Sequence, residues 1–235
     1  SLLPVDLPVF ERLGVDMEAA GFLRKSGARF IDEKSGQAFT FNFDAGLPGT
    51  PHFAYQVDRA KFDDLLLRRA VEVGAEVRFE CEVKAVRTGE PDRIVVEAAG
   101  ENLSARYFID ATGTKTLMGK RNNSIEPKRG FGRAAAFRRY SKLAPGVYEE
   151  LSETGDIRVL MIEDGWVWII PLPGESMSIG VVSSVEKVDH DLFEREVAAS
   201  KTLQWLTEGA EVVEQGTIGN WSYGNSAPDG PRWSC

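Results

Sequence analysis

The sequence predicts an α/β fold built around a mixed β-sheet, and three features indicate it. The first is a hairpin, in which residues 165–171 and 176–182 are apolar strands joined by a Pro173-Gly174 turn. The second is an amphipathic helix that follows Asp58 and stops at Gly74, with apolar residues at three- and four-residue spacing. The third is a set of short strands with alternating polarity before and after that helix.

The first half of the chain mixes both element types. We predict helices over residues 5–13, 16–20 and 58–74, and strands over residues 28–31, 38–43, 53–57, 76–87, 94–98 and 103–109. Phe39, Phe41 and Phe43 alternate, so residues 38–43 are predicted to join the sheet of residues 28–31, with residues 53–57 as a third strand. Residues 25–27 are interpreted as the turn into the first of these strands. We further expect residues 38–43 to pair with a strand between positions 130 and 185.

The second half is predicted to consist mainly of strands. Residues 114–130 carry five basic side chains without periodicity, which is typical of a solvated, mobile loop. Strands are predicted over residues 132–140, 157–162 and 211–218, and a mostly helical segment over residues 188–205. Trp221-Ser222-Tyr223 follows the last strand.

Composition excludes several function classes. The 235 residues have a net charge of −8, which argues against binding of nucleic acid. The two cysteines, Cys81 and Cys235, show neither disulfide-scaffold nor zinc spacing, and we expect no metal site and a reducing, cytoplasmic setting. No apolar run approaches the length of a membrane span. Because the chain opens without Met and stops at residues 231–235, which are typical of the start of a strand, we expect a fragment of a longer protein.

The hairpin carries two large indoles on one face. Strand periodicity places Trp166, Trp168 and Ile170 on one side and Val167 and Ile169 on the other. Two interpretations stay open at this point. The indoles either fill a buried sheet face or form a rigid aromatic wall beside a planar ligand.

Gly165-Trp-Val-Trp-Ile-Ile-Pro171 matches all five fixed positions of the G-W-x-W-x-I-P motif of the flavin-dependent halogenases, which it therefore resembles. These enzymes are relatives of flavin monooxygenases and geranylgeranyl-reductase-like enzymes. The resemblance implies a glutathione-reductase-type FAD-binding fold interleaved with a mixed β-sheet substrate domain. Residues 1–20 and 57–125 would belong to the FAD-binding part, and residues 21–56 and 126–235 to the substrate part.

The resemblance also implies which residues contact FAD. Asp110-Ala111-Thr112-Gly113 ends a strand in small residues that let backbone approach a ligand, and it resembles the second FAD contact of glutathione-reductase-like flavoproteins. Asp110 itself is expected to organise this backbone, and Arg59 is either a cofactor contact or an exposed first-turn arginine. The implied cofactor contacts are Ser1, Leu2, Arg59, Val83, Asp110, Ala111 and Gly113. The Gly-rich turn and the later Gly-Asp segment of the family do not occur in these residues, so the resemblance covers about half of a complete enzyme.

Lys25 occupies a position that resembles the essential lysine of the halogenases, whose amine captures or hydrogen-bonds hypohalous acid and presents it to the substrate. A lysine near an apolar wall titrates closer to neutrality, which suits that role. The alternative is a solvated lysine at a strand edge. The resemblance implies catalytic roles for Lys25, Trp166 and Trp168 and substrate contacts at Phe41 and Pro171.

Three functions follow from these patterns. The first is a halogenase that uses FADH2, O2 and halide on an aromatic or hydrophobic substrate, free or carrier-bound, with a separate flavin reductase as an optional partner. In it the two indoles would screen the flavin from the substrate. The second is an FAD-dependent hydroxylase or geranylgeranyl-reductase-like ene-reductase, in which the substrate meets the flavin itself. The third is a non-catalytic fragment or a domain that binds a hydrophobic ligand.

Overall fold

A computed structural model of the chain describes residues 1–88, 92–127, 133–184, 187–219, 223–225, 229–230 and 233–234. Two compact units are present, one formed by Ser1–Gly74 with Arg133–Asn220 and the other by Ala75–Gly132 with Trp221–Cys235. The part of the predicted basic loop at residues 128–130 and the positions of Trp221, Ser222 and Cys235 lie outside the described residues.

The elements are numbered in chain order. The α-helices are α1 (Leu7–Arg12), α2 (Arg59–Glu72), α3 (Leu117–Arg121), α4 (Val147–Ser152), α5 (His190–Ala199) and α6 (Lys201–Thr207), with short 3-10 helices at Pro4–Asp6, Phe43–Ala45 and Gly113–Lys115. The strands are β1 (Leu23–Lys25), β2 (Gly27–Asp32), β3 (Gln37–Asn42), β4 (Ala54–Gln56), β5 (Val83–Arg87), β6 (Ile94–Ala98), β7 (Glu101–Ala105), β8 (Phe108–Ile109), β9 (Ile125–Pro127), β10 (Ala134–Ser141), β11 (Ile157–Ile162), β12 (Gly165–Leu172), β13 (Ser176–Ser183), β14 (Glu211–Ile218), β15 (Tyr223–Asn225), β16 (Asp229–Gly230) and β17 (Trp233–Ser234).

A seven-stranded sheet dominates the first unit, in the order β14-β10-β13-β12-β11-β2-β3. Its pairs are antiparallel except β11 with β2, so the predicted α/β class with a mixed sheet is confirmed. The predicted hairpin is confirmed as β12 and β13, paired from Gly165 opposite Ser183 to Leu172 opposite Ser176. A Cβ at Gly165 would lie 1.9 Å from the Val182 carbonyl oxygen, so only glycine allows this close start of the hairpin.

The strand expected over residues 38–43 belongs to this sheet, but the expected pairing with a strand between positions 130 and 185 is wrong. Among the described strands, β3 is an edge strand whose one partner is β2, and β2 in turn pairs with β11. The physical reason is the short connection between β2 and β3, which favours a local hairpin over a long-range partner.

One face of the sheet forms the main core of this unit. Val167 and Ile169 on β12 are 0% exposed, as alternation predicts for side chains on the opposite face from the indoles. Helices α4, α5 and α6 cover this face through Leu151, Phe193 and Leu203, all of them buried. The mostly helical segment predicted over residues 188–205 is therefore confirmed, whereas α4 was not predicted.

A two-stranded ribbon of β1 and β4 packs with α1 and α2 in the same unit. Three predictions for this region are wrong. Lys25 ends strand β1 and does not lie in a turn, and residues 53–57 pair with β1 and not with the large sheet. Residues 16–20 form a single turn and not a helix: the Asp16 side chain accepts the backbone N–H groups of Glu18 and Ala19 as an N-cap does, but Gly21, with a φ of +73°, follows directly.

Helix α2 forms as the sequence predicts. The Asp58 side chain caps it by accepting the Lys61 N–H at 3.2 Å, and Gly74 follows its end with a φ of +101°. Phe62 on its buried side meets the ring of Phe10 edge-on, with centroids 5.2 Å apart. The start of α2 is thereby fixed against the rest of the unit.

The second unit contains the predicted meander as β5, β6 and β7. Its first strand begins at Val83, so the prediction of a strand over residues 76–82 is wrong. Residues 103–109 form the end of β7 and the separate short β8. Within the basic segment, α3 and β9 replace the expected loop, since Met118 packs into a small core with Val86 and Ile94.

The compact units differ in extent from the predicted division into residues 1–20 with 57–125 and residues 21–56 with 126–235, because residues 1–20 and 57–74 cluster with the large sheet. The assignment of cofactor and substrate roles to two parts stays a prediction. In the described part of the chain, no helix is long and apolar enough to cross a membrane. Nor do the described residues contain a group of three or more His, Cys, Asp or Glu side chains that could hold a metal ion.

Candidate active site

The sheet face opposite the core borders a cavity of about 430 Å³ in the first unit. Its floor consists of side chains that alternate with the core residues along β10, β12, β13 and β14, and the N-terminal end of α2 borders it. The lining residues are Ser1, Val57, Asp58, Arg59, Ala60, Phe137, Arg139, Trp168, Ile170, Leu172, Ser178, Glu214 and Ile218. An apolar floor with a few charged groups at one side is the usual construction of a small-molecule site.

Trp168 is held in this floor by two neighbours on β13. A Cβ at Gly180, which lies opposite Trp168, would be 2.1 Å from the indole ring, so the ring occupies space that only a glycine leaves free. The indole Nε1–H donates to Ser178 Oγ at 3.2 Å. On the next strand Phe137 lies over Gly216 in the same way, with a Cβ at that glycine 2.9 Å from the ring. The glycines thus let two aromatic rings lie along the sheet surface.

The charged side of the cavity depends on an ion pair between β10 and α2. The Arg139 guanidinium lies 2.5 Å from Asp58 Oδ2, while Asp58 Oδ1 caps the helix. Burial disfavours the charge on Asp58, but the hydrogen bonds from Arg139 and Lys61 outweigh it and lower the pKa of this carboxyl. Arg59, the next residue, is 75% exposed along its side chain and pairs with Asp63 one turn later at 3.0 Å. It is therefore both a first-turn arginine and a lining residue of the cavity.

Lys25 is almost completely buried, at 2% exposed, so the interpretation as a solvated strand-edge lysine is wrong. Its Nζ donates to Ser1 Oγ at 2.7 Å and lies 5.2 Å from the Phe43 ring centroid. Burial lowers the pKa of the Lys25 ammonium to about 8, although the negative charges of Asp156 and Asp6 act in the opposite direction. An amine of this kind exchanges its proton near neutral pH.

Ser1 connects Lys25 with the cavity. Ser1 lines the cavity, and its hydroxyl accepts the hydrogen bond from Lys25 Nζ. Lys25 itself is not a lining residue. Leu2 donates its backbone N–H to Tyr55 O at 2.9 Å, which fixes the segment against β4. The structure therefore brings together Ser1, Arg59 and Trp168 at the cavity, with Lys25 one hydrogen bond away.

Other predicted residues lie elsewhere. Trp166 is on the same face as Trp168, one alternate position earlier, but it does not line the cavity. Phe41 is on edge strand β3, 41% exposed, with its ring centroid 6.4 Å from that of Phe43. Pro171 is buried on the core face, opposite Met177. Neither Phe41 nor Pro171 borders this cavity.

The predicted turn at Asp110 lies in the second unit and is organised by its own side chain. Asp110 accepts hydrogen bonds from the Thr112 N–H and hydroxyl, at 3.0 and 2.6 Å, and from the Met118 N–H at 2.7 Å. Burial opposes its ionisation, but these hydrogen bonds prevail and lower the pKa of Asp110. Gly113 has a φ of +58°, and apart from its chain neighbours no atom of the described residues lies within 4 Å of a Cβ built there. The expectation that Asp110 organises backbone agrees with these contacts.

Val83 and Ala111 are the other predicted cofactor contacts in this unit. Val83 packs beside the small core of Val86, Ile94 and Met118. Ala111, between Asp110 and Thr112, is exposed. These positions stay predictions as cofactor contacts.

Several cavity residues were missed from the sequence. Phe137 and Arg139 alternate on β10, which could have marked the face they share, but the register that places them beside Trp168 and Glu214 is not visible in the chain. The buried carboxyl of Asp156 gave no signal, because a lone Asp before a strand is common.

Comparison with known proteins identifies the family of the chain. The family profile described as tryptophan halogenase matches residues 44–213. The 1H-pyrrole-2-carbonyl-[peptidyl-carrier protein] chlorinase of Pseudomonas fluorescens is 27% identical over 92% of this chain and 54% of its own length. The flavin-dependent halogenase armH4 of Armillaria mellea is 30% identical over 78% of this chain and 38% of its own. The chain thus spans about half the length, or less, of the curated relatives it matches.

Solved structures of flavin-dependent halogenases are similar to this chain in fold. The crystal structure of the flavin-dependent halogenase CmlS has a TM-score of 0.85 and 27% identity, covering all of this chain and 44% of that one. The myxobacterial chondrochloren halogenase CndH has a TM-score of 0.84 and 29% identity, with 100% and 57% covered. Sequence motif, family profile and fold agree, and the chain belongs to the tryptophan halogenase family.

Proposed function

We propose that the protein containing this chain is a flavin-dependent halogenase that uses FADH2, O2 and halide. The observation that carries the proposal is the buried Lys25 amine, joined through the Ser1 hydroxyl to a cavity floored by Trp168. Relatives that match this chain are named flavin-dependent halogenases.

The cavity suits a planar amphiphile such as the flavin of FAD. Trp168, Ile170 and Leu172 offer an apolar surface, while Arg59 and the Asp58–Arg139 pair offer charge at one side. Ser1, Arg59 and Trp168 are the residues of this unit that would hold the cofactor. Leu2 and the second unit's Val83, Asp110, Ala111 and Gly113 are proposed as further FAD contacts. When bound, reduced FAD would supply two electrons to dioxygen, so that one oxygen atom oxidises halide to hypohalous acid while the other leaves as water and FAD is formed.

Lys25 would present hypohalous acid to the substrate. Its amine already donates a hydrogen bond to an oxygen, that of Ser1, and the adjacent Phe43 ring limits water around it. With a pKa of about 8 the amine is mostly protonated at neutral pH, yet a substantial fraction is neutral. The ammonium form can therefore donate a hydrogen bond to hypohalous acid, and the free amine can take its halogen, with the O–halogen bond broken and the hydroxide leaving with the amine proton as water.

Trp168 would act as a screen by geometry. Gly180 lets its ring lie against the sheet as part of the cavity floor, and the indole would keep the substrate from the flavin without supplying any reacting group. Trp166 stays a predicted second part of the screen. Phe41 and Pro171 stay predicted substrate contacts, although neither borders this cavity.

The substrate class proposed is aromatic or hydrophobic, free or carrier-bound. The apolar cavity floor supports a hydrophobic acceptor, and the Pseudomonas fluorescens relative is named for a pyrrole-carbonyl group on a carrier protein. A separate flavin reductase and a cytoplasmic location stay predictions.

The test replaces Lys25 in the full-length protein. Lys25→Ala, and Lys25→Met to retain volume, are expected to bind and reoxidise flavin normally but to lose halogenation by at least about 100-fold. Lys34→Ala, at an exposed lysine, is the matched control. Halogenation at the parent rate by both Lys25 variants would contradict the role of Lys25. Oxygenated or reduced product formed without halide by the parent protein would instead indicate the hydroxylase or ene-reductase.

A further inference from the structure

The segment Thr154–Asp156, which leads into β11, holds the strand that carries Lys25. The backbone N–H of Ser26, the residue after Lys25, donates to Asp156 Oδ1 at 3.0 Å and also to Thr154 O at 3.1 Å. The partners are 130 positions apart in the chain. The contact therefore reflects the tertiary fold and not a local turn.

Gly155 fits against the backbone of β1 with no space to spare. It has a φ of +65°, and a Cβ there would lie 2.0 Å from Arg24 O and 3.3 Å from Lys25 Cα. Its carbonyl accepts a hydrogen bond from Gln56 Nε2 at 2.9 Å, and Gln56 is 0% exposed on the neighbouring strand β4. Backbone contact on one side and a buried amide on the other fix this segment beside Lys25.

We propose that Asp156 is a positioning residue for the Lys25 amine. Its carboxylate holds the backbone directly after Lys25 by a hydrogen bond, and its charge favours the ammonium form of a lysine that burial would otherwise neutralise. The inference rests on the proposed function only in giving Lys25 a catalytic task. Asp156 touches neither substrate nor cofactor in this scheme and acts through Lys25.

Two carboxylates act on the charge of Lys25. Asp156 is 5% exposed and faces it from the segment before β11, and Asp6 faces it from the 3-10 helix at Pro4–Asp6, where its Oδ2 also accepts the Leu3 N–H. Arg24 points away, on the other face of β1, where its guanidinium stacks on Phe53 at 3.8 Å. In the described part of the chain Lys25 and Asp156 form no direct ion pair, so the carboxylate acts over a longer distance.

The sign of the effect follows from these surroundings. Burial is the largest influence on Lys25 and lowers its pKa, while Asp156 raises it in part and Asp6 does so less. Removal of the Asp156 charge leaves burial less opposed. The Lys25 pKa should then fall below about 8, and the neutral amine should predominate at a lower pH.

The test follows the titration of Lys25 by NMR in the full-length protein labelled with lysine carrying 13C at Cε. Lys25→Arg identifies the Lys25 signal. Asp156→Asn, which retains an oxygen for the Ser26 N–H, is expected to lower the titration midpoint by roughly one pH unit. Asp6→Asn is expected to lower it less, and Glu153→Gln, at an exposed acid in the preceding turn, should leave it unchanged.

An unchanged midpoint in Asp156→Asn, or an equal change in Glu153→Gln, would overturn the proposal. If Asp156→Asn does not fold, Asp156→Glu replaces it. The longer side chain keeps the negative charge but changes its position relative to Lys25. A change in the Lys25 titration midpoint is therefore again expected, and an unchanged midpoint would contradict the proposal. Because the titration is read without halogenation, it separates failure of this inference from failure of the proposed function. In an active enzyme, the pH dependence of kcat should move with the NMR midpoint, which a purely structural role of Asp156 would not cause.

Discussion

The two faces of strand β12 show how one stretch of sequence serves packing and a candidate site at once. Val167 and Ile169 are 0% exposed beneath helices of the main core. Trp166 and Trp168, which alternate with them, are partly exposed on the other face. Trp side chains are rarely buried completely but carry a large apolar area, so two of them side by side outside the main core form a sizeable apolar surface.

Two glycines on the indole face explain why the two faces of the sheet differ. On the indole face, Gly180 lies directly beneath Trp168, and Gly216 lies beneath Phe137. On the core face, the corresponding β13 positions carry Ile179 and Val181, which fill space against helices. Close packing on one face stabilises the fold, whereas glycines on the other let aromatic rings form a surface beside a cavity. The difference favours the prediction that Trp168 belongs to a ligand surface, while the same role for Trp166 stays a prediction.

The largest expected effect comes from the core face. Ile169→Ala removes a fully buried side chain, and we expect a loss of roughly 2–5 kcal/mol in the free energy of unfolding, since a cavity remains. Denaturant unfolding of the full-length protein measures it. Ile170→Ala, the neighbour on the cavity face, is the matched control and should cost clearly less. Equal losses at the two positions would remove the distinction between the faces.

Gly180→Ala tests the fit beneath Trp168 and should have an intermediate effect. The added methyl group would lie 2.1 Å from the indole, so the ring must move, at a cost of roughly 1–3 kcal/mol. In a Trp168→Ala background the clash is absent, and the same change should be neutral or stabilising by about 0.5–1 kcal/mol, because alanine suits a strand interior better than glycine. A double-mutant cycle on melting and denaturation measures the coupling. Additive effects would mean that the ring does not depend on Gly180.

Much of this contrast could be predicted from the sequence, because it depends on local periodicity. The hairpin, the alternation of Trp168 with Ile169, and helix α2 with its Asp58 cap all follow from neighbouring residues. The burial of Lys25 could not, since it depends on Ser1, Phe43 and a segment 130 positions away.

The wrong or missing predictions also concern contacts between residues that are far apart in the chain. Residues 53–57 were correctly predicted as a strand but assigned to the wrong sheet, since a three-residue strand carries no information about its partner. The Arg139–Asp58 ion pair joins residues 81 positions apart, so the charged side of the cavity was also invisible in the chain. The motif resemblance supplied the function class, whereas the geometry identifies Trp168, rather than Trp166, as the indole that lines the cavity.

Trp168→Ala should have the smallest effect on stability and the clearest effect on chemistry. Its indole is only partly buried and one side borders a cavity, so removal should cost on the order of 1–2 kcal/mol, less than the 3–5 kcal/mol typical of a fully buried aromatic. If the indole screens the cofactor from the substrate, its loss should shift product from halogenated toward oxygenated compound. Trp166→Ala is the matched control, because the same side chain stands on the same face but outside the cavity lining. The melting temperature and the ratio of halogenated to oxygenated product, measured on the same variant, show whether Trp168 screens the cofactor or only fills space. A collapse of stability with an unchanged product ratio would mean that Trp168 only fills space, and an equal product shift in both variants would mean that the screen extends beyond this cavity.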